Sequence, residues 1–282
     1  MIRICSDSTC DLSDEIIERY GITIIPLHIV LGDEEYRDRV DIGQAKIFEW
    51  ADRNKTTPKT SAVSYEDAEA VIKPMVDADD EVIVFSISSD FSTTYNVFKM
   101  LADDLATGET VRVIDSRNLS TGIGLLVVEA AIMAKEGLGA DDILKEIERL
   151  RPKVRASFVI DTLTYLARGG RCSSVAALTG GVLRIHPKII VKDGKMEVSK
   201  KYRGSIKKVV MDYVNDMHHA LLCARPQRVF ITHTSDDREL VEEVRAYLES
   251  LNYFDEIFET QAGGVISSHC GPGTLGVLFI EG

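Results

Sequence analysis

No Cys-x-x-Cys pair occurs in this 282-residue chain, and the cysteine count of five is odd. Both facts exclude a zinc ribbon and a closed disulfide framework, so Cys5, Cys10, Cys172, Cys223 and Cys270 read as reduced thiols of a cytoplasmic protein. The six histidines include no His-x-x-x-His or His-x-x-Glu spacing, which removes the commonest metal-ligand signatures. No Walker-type Gly-x-x-x-x-Gly-Lys-Ser/Thr is present, and no Gly-x-Gly-x-x-Gly follows the first strand, so no resident nucleotide or other cofactor is expected. Positive charge is in deficit: 33 Lys and Arg face 45 Asp and Glu, for a net charge of −12. Binding to nucleic acid by counterion release needs clustered cations, and so does attraction to anionic membranes. Long apolar runs are also missing. The longest, GIGLLVVEAAIMA from Gly122, is broken by Glu129 and too short to cross a bilayer, so no stable membrane insertion is expected. The first residues, MIRICSDST, lack the apolar stretch of a signal peptide and read as a strand.

What is there is a globular composition, with 45% apolar and 28% charged residues, enough for two ordinary domains. Short β-branched strands alternate with helices in the first half: IRIC, a helix from Ser13 to Gly21, extended ITIIPLHIVL, and helices from Asp41 to Arg53 and from Ser64 towards Pro74. EVIVFSIS, a helix from Thr94 to Leu105, VRVID and a helix ended by Gly137 continue the alternation. Such runs predict a parallel sheet covered on both faces, with ligands outside the carboxyl ends of its strands. Three polar loops fall there: CSDSTCD, SISSDFSTTYN and IDSRNLSTG. After a helix over 141–150 the pattern becomes mixed, with a hairpin turning at Asp193-Gly194, a helix from Ser205 to Leu222, and strands RVFITH, EIFET and GVLFI. The fold class is therefore α/β with two domains. The N-terminal one (1–151) carries a parallel Rossmann-like sheet, and the C-terminal one (152–282) a mixed α+β layer.

The chemistry is carried by hydroxyls. Thr60-Ser61, Ser88-Ser89, Ser92-Thr93-Thr94 and Ser267-Ser268 all read as loop clusters, each also explicable as a cap or turn. FSTTY has the form of a helix start after a strand, where unpaired N–H groups favour an anion. Gly169-Gly170-Arg171 offers backbone donors and a guanidinium, or simply a helix stop. His269 and Cys270, adjacent in a segment read as extended, point apart and cannot form a thiol–imidazole dyad. Residue chemistry alone thus reaches an α/β protein with a small-anion cleft.

Seven motifs in order extend this reading: SDSTCDL (Ser6–Leu12), KTS (Lys59–Ser61), SSDFSTTYN (Ser88–Asn96) and VIDSRNLSTGIG (Val113–Gly124), then YLARGGR (Tyr165–Arg171), KDGKMEVSKKYRG (Lys192–Gly204) and SSHCGPGTLG (Ser267–Gly276). Together they resemble the DegV family of bacterial fatty-acid-binding proteins. The resemblance implies a ligand cleft between two α/β domains that holds a long-chain acid such as palmitate, stearate or oleate. It implies that a separate ATP-dependent kinase subunit phosphorylates the bound acid, so that this chain is a non-enzymatic binding subunit. Carried over by position, the carboxylate would meet Thr60 or Ser61, Ser92, the N–H groups of Thr93 and Thr94, and His269, with Ser268 beside it. Arg171 and Arg203 would be basic groups near the head group. Thr93 stands where the family usually has Gly. The tail would lie against Phe158, Ile160, Leu163, Leu166, Leu178, Leu183 and Leu278. The competing expectations are a stand-alone hydrolase or small-molecule kinase using the same cleft, and a lipid-sensing interaction module.

Overall fold

The computed structural model describes residues 1–105, 110–176 and 185–282. Strand β1 (Ile2–Asp7) leads through a 3-10 turn to helix α1 (Asp14–Tyr20), capped by Ser13 and stopped by left-handed Gly21. Strands β2 (Thr23–Ile25), β3 (His28–Leu31) and β4 (Glu34–Arg37) precede α2 (Gln44–Asn54), β5 (Lys59–Ser61) and α3 (Tyr65–Asp77). Next come β6 (Glu81–Ser86), α4 (Thr94–Asp104), β7 (Val111–Asp115), α5 (Thr121–Lys135) and α6 (Ala140–Leu150). The second half opens with β8 (Val154–Val159), α7 (Leu163–Gly169), α8 (Ser173–Ala176), β9 (Ile185–Lys192) and β10 (Lys195–Arg203). Helices α9 (Ile206–Asp216) and α10 (His218–Leu222) follow, then β11 (Ala224–His233), α11 (Arg238–Ser250), β12 (Glu256–Gln261), α12 (Gly264–Cys270) and β13 (Leu275–Glu281).

Strands β2-β1-β6-β7 form a wholly parallel sheet, and the three polar loops leave the carboxyl ends of β1, β6 and β7 as expected. A six-stranded sheet, β10-β9-β8-β13-β11-β12, gathers the second half; only β11 and β12 pair parallel in it. Asp193 (φ 50°) and Gly194 (φ 82°) make the tight turn between β9 and β10. Helix α5 packs on β1 and β6 from one side and on β8 and β13 from the other. That position explains why its sequence is apolar all round. One apolar core consequently runs through both halves, from Ile4 and Phe85 through Ile123 to Phe158 and Leu278.

Several local expectations are corrected. A small antiparallel sheet, β4-β3-β5, was not anticipated; it puts Thr60 and Ser61 on a strand rather than in a loop. Helix α2 starts at Gln44 instead of Asp41, because the Asp41 carboxylate accepts from the Arg37 N–H and side chain and closes a turn. Helix α3 continues through Pro74 to Asp77, where Val71, Met75 and Val76 pack on the core and offset the lost backbone bond. The helix expected over 205–222 breaks at Met217 into α9 and α10. The segment from Gly264 to Cys270 is a helix, not extended chain, so Ser267, Ser268 and His269 lie on α12.

Candidate functional site

Outside the carboxyl end of the parallel sheet lies a cavity of about 520 Å³. This falls within the ~300–1,000 Å³ usual for small-molecule sites. The first half supplies Thr60 and Ser61 of β5 and the loop from Ile87 to Thr93; the second supplies Arg171, Met196 and α12. Its apolar wall is Leu27, Ile87, Phe91, Leu119, Val265 and Ile266.

His269 and Thr60, 209 residues apart in sequence, meet here with Nε2 and Oγ1 2.8 Å apart. The other ring nitrogen, Nδ1, is buried with no partner among the described residues. It lies against Gly169 at the end of α7, where a Cβ would come within 2.4 Å of it. Glycine at 169 is thus what lets the ring reach this position. Burial, helped by the nearby Arg171 charge, lowers the imidazole pKa to about 4, so the ring is neutral at neutral pH. An unpaired buried acceptor is less costly than an unpaired N–H, which puts the ring proton on Nε2. Thr60 Oγ1 then accepts from His269, and its own O–H is available to the cavity.

Ser92 sits at the start of α4. Its Oγ accepts from the Thr94 N–H at 3.3 Å and lies 2.9 Å from Thr94 Oγ1, while Thr94 Oγ1 takes the Val63 N–H at 3.5 Å. These contacts tie β5 and the helix start into one polar ledge. Thr93 adopts φ −80° and ψ 4°, backbone that needs no glycine. Arg171 is tethered at the rim, donating to the Gly169 carbonyl at 2.8 Å and to the Phe91 carbonyl at 3.4 Å.

The structure therefore brings Thr60, Ser61, Ser92, Thr93, His269 and Arg171 to one cavity, with Thr94 buried directly behind. Two expected residues are elsewhere. Ser268 is buried and donates to the Gly264 carbonyl at 2.7 Å within α12. Arg203 ends β10 outside the lining; seven residues of strand beyond Met196 put it roughly 20 Å along the sheet. Cys270 does border the cavity, because neighbours on a helix diverge by about 100° rather than 180°. Its thiol is buried and pushed up to about 12, so it serves as neutral wall.

Of the residues expected around a tail, Phe158 and Leu278 line a small void that shares Leu119, Ile266 and Cys270 with the main cavity. Ile160, Leu163 and Leu166 pack in the core, and Leu178 and Leu183 lie outside the described residues. The apolar wall of the main cavity was missed: its residues are dispersed from position 27 to 266 and individually resemble ordinary core.

A family model described as "Uncharacterised protein, DegV family" matches residues 1–282. A DegV domain-containing protein of Caldanaerobacter subterraneus subsp. tengcongensis is 34% identical over 280 residues, covering 99% of both chains. Among solved structures, a fatty-acid-binding DegV family protein from Thermus thermophilus superposes with a TM-score of 0.90 at 30% identity, covering 99% of each chain. A stearic-acid-binding protein from Eubacterium ventriosum gives a TM-score of 0.85 at 29% identity, covering 100% of this chain and 98% of its own.

Proposed function

The chain belongs to the DegV family, and from that premise we propose that it binds a long-chain fatty acid in the cavity between its two halves. The observation that carries this reading is the Thr60–His269 pair, held 2.8 Å apart at one end of an apolar-walled cavity. A neutral imidazole behind a hydroxyl supplies donors without a fixed counter-charge. Thr60 Oγ, the Ser92 hydroxyl and the N–H groups opening α4 are the donors a carboxylate would take, with the Ser61 hydroxyl at its edge. The fatty-acid binding of similar proteins supports the same ligand class. Burial of the tail dominates the energetics: at ~0.8 kcal/mol per CH₂, some fourteen methylenes contribute about 11 kcal/mol before the cost of immobilising the chain.

In this reading the protein is a cytoplasmic carrier that presents the acid to a separate ATP-dependent kinase subunit, which forms the acyl phosphate. Support comes from the exposed Arg171 and Ser61 beside the head-group donors, which leave that end of the acid reachable. ATP consumption and acyl phosphate should be followed with and without an added kinase subunit. Turnover only with the kinase is expected. Turnover of ATP or acyl esters by this chain alone would make it an enzyme; binding that no kinase exploits would make it a lipid-sensing module.

A further inference from the structure

Helix α12, which carries His269, begins on two buried carboxylates contributed by the first half of the chain. Asp11 accepts from the Gly263 N–H and Asp38 from the Gly264 N–H, each at 2.7 Å, across 252 and 226 residues of sequence. Both side chains are sealed from solvent. A Cβ on Gly263 would stand 3.1 Å from Asp11 Oδ1 and 3.2 Å from Asp38 Oδ2, and one on Gly264 3.0 Å from Asp38 Oδ1. A side chain at Gly263 would crowd both acids, and one at Gly264 would first meet the Ile29 and Ile47 methyls, at 2.5 and 2.7 Å, before Asp38. Each acid is braced from its far side: Ser120 donates to Asp11 at 2.5 Å and Ser8 to Asp38 at 2.8 Å.

Burying two neighbouring carboxylates costs several kcal/mol, whereas losing a helix cap ordinarily costs only about 1 kcal/mol. The backbone is bent to keep them here. Asp11 is left-handed (φ 51°, ψ 25°), and Ser120 holds φ 53° with ψ −146°, a region that only glycine visits readily. Strain of this kind persists where surrounding structure imposes it, and it clusters at functional sites. Arg39 is a cation whose charge acts on both acids, and its Nη2 is engaged by Asp14. The side-chain bonds within α12, such as Ser268 to Gly264, shape the helix but do not fix it to the first half.

We propose that Asp11 and Asp38 are positioning residues of the fatty-acid site: they pin the start of α12 to the first half and thereby set where His269 meets Thr60. The inference rests on the reading of the cavity as a carboxylate site. It makes the polar loop after β1 part of the ligand apparatus, although that loop contributes nothing to the cavity wall.

The test compares Asp11→Ala, Asp38→Ala, Asp11→Asn and Asp38→Asn with the wild type by imidazole NMR of His269 and by oleate affinity. The alanine variants should shift the His269 ring resonances and raise the oleate Kd at least about tenfold, the equivalent of one hydrogen bond. The asparagine variants keep an acceptor for the glycine N–H and should recover part of both. Folded alanine variants with wild-type resonances and affinity would overturn the proposal. Should alanine prevent folding, Ser120→Ala and Ser8→Ala loosen the carboxylates without removing them. They should move the same resonances and weaken oleate, and wild-type values in both would equally overturn it. A wild type that takes up no oleate would instead sink the fatty-acid reading, while the His269 resonances would still report whether the two acids position the ring.

Discussion

Replacing Thr60 by Val removes one oxygen while keeping the shape of the side chain. The hydroxyl accepts from the neutral His269 ring at 2.8 Å and, on the present account, donates onward to the ligand carboxylate. A hydrogen bond to a charged acceptor contributes about 1.5–3 kcal/mol, which corresponds to a roughly 10- to 150-fold rise in Kd. His269 lines the cavity behind Thr60, so the same substitution also frees the ring to turn away from the ligand. Ser61→Ala is the control. Ser61 is exposed, belongs to the same short strand and stands only at the edge of the donor set, so its removal should cost less than that of Thr60. Oleate and stearate affinity measured by calorimetry or displacement of a fluorescent fatty acid decides the matter. Equal affinity for Thr60→Val and wild type, or a larger loss in Ser61→Ala, would refute the assignment of Thr60 as the carboxylate donor.

Gly169→Ala should weaken fatty-acid binding while leaving thermal unfolding close to wild type, because the added methyl displaces the His269 ring rather than the core; unaltered affinity would show that the ring has room to spare. Alkylation of the native protein should modify Cys223 alone, since it is the exposed cysteine while Cys5, Cys10 and Cys270 have thiols pushed to about 12 by burial; peptide mapping that finds a second adduct would contradict this. The third concerns pH. Burial raises Asp11 to about 7, so the folded state keeps a proton that the unfolded chain releases above about 4, and the stability due to this group is lost as pH rises through that window. His269, lowered to about 4, acts with the opposite sign, so the informative quantity is the difference between wild type and Asp11→Asn in urea unfolding. That difference should turn against the wild type from about pH 4 to about pH 7; a flat profile would mean that Asp11 titrates normally.

The scaffold was readable because its determinants are local. Buried parallel strands such as β6 are continuous apolar runs, Ser13 and Ser64 cap helices with their own side chains, and Asp193-Gly194 has the backbone freedom of a tight turn. Strands β4 and β5 escaped notice because they are short and polar, and pairing with β3 rather than alternation makes them strands. Helix α12 was hidden for a related reason. A stretch beginning Gly-Gly and containing Ser-Ser has weak helix propensity, and its first N–H groups are satisfied by carboxylates distant in sequence. The hydroxyl and histidine positions of the site came from motif order. The pairing of Thr60 with His269, and the departure of Ser268 and Arg203 from the cavity, depend on packing that no local pattern encodes.

The central claim is tested most directly by a crystal structure of the protein grown with stearate or oleate. The account predicts the carboxylate within hydrogen-bonding distance of Thr60 and Ser92, with the His269 ring still donating to Thr60 from behind, and the tail along Leu119 and Ile266. An acid bound elsewhere on the chain, or a cavity holding only solvent at saturating ligand, would contradict it.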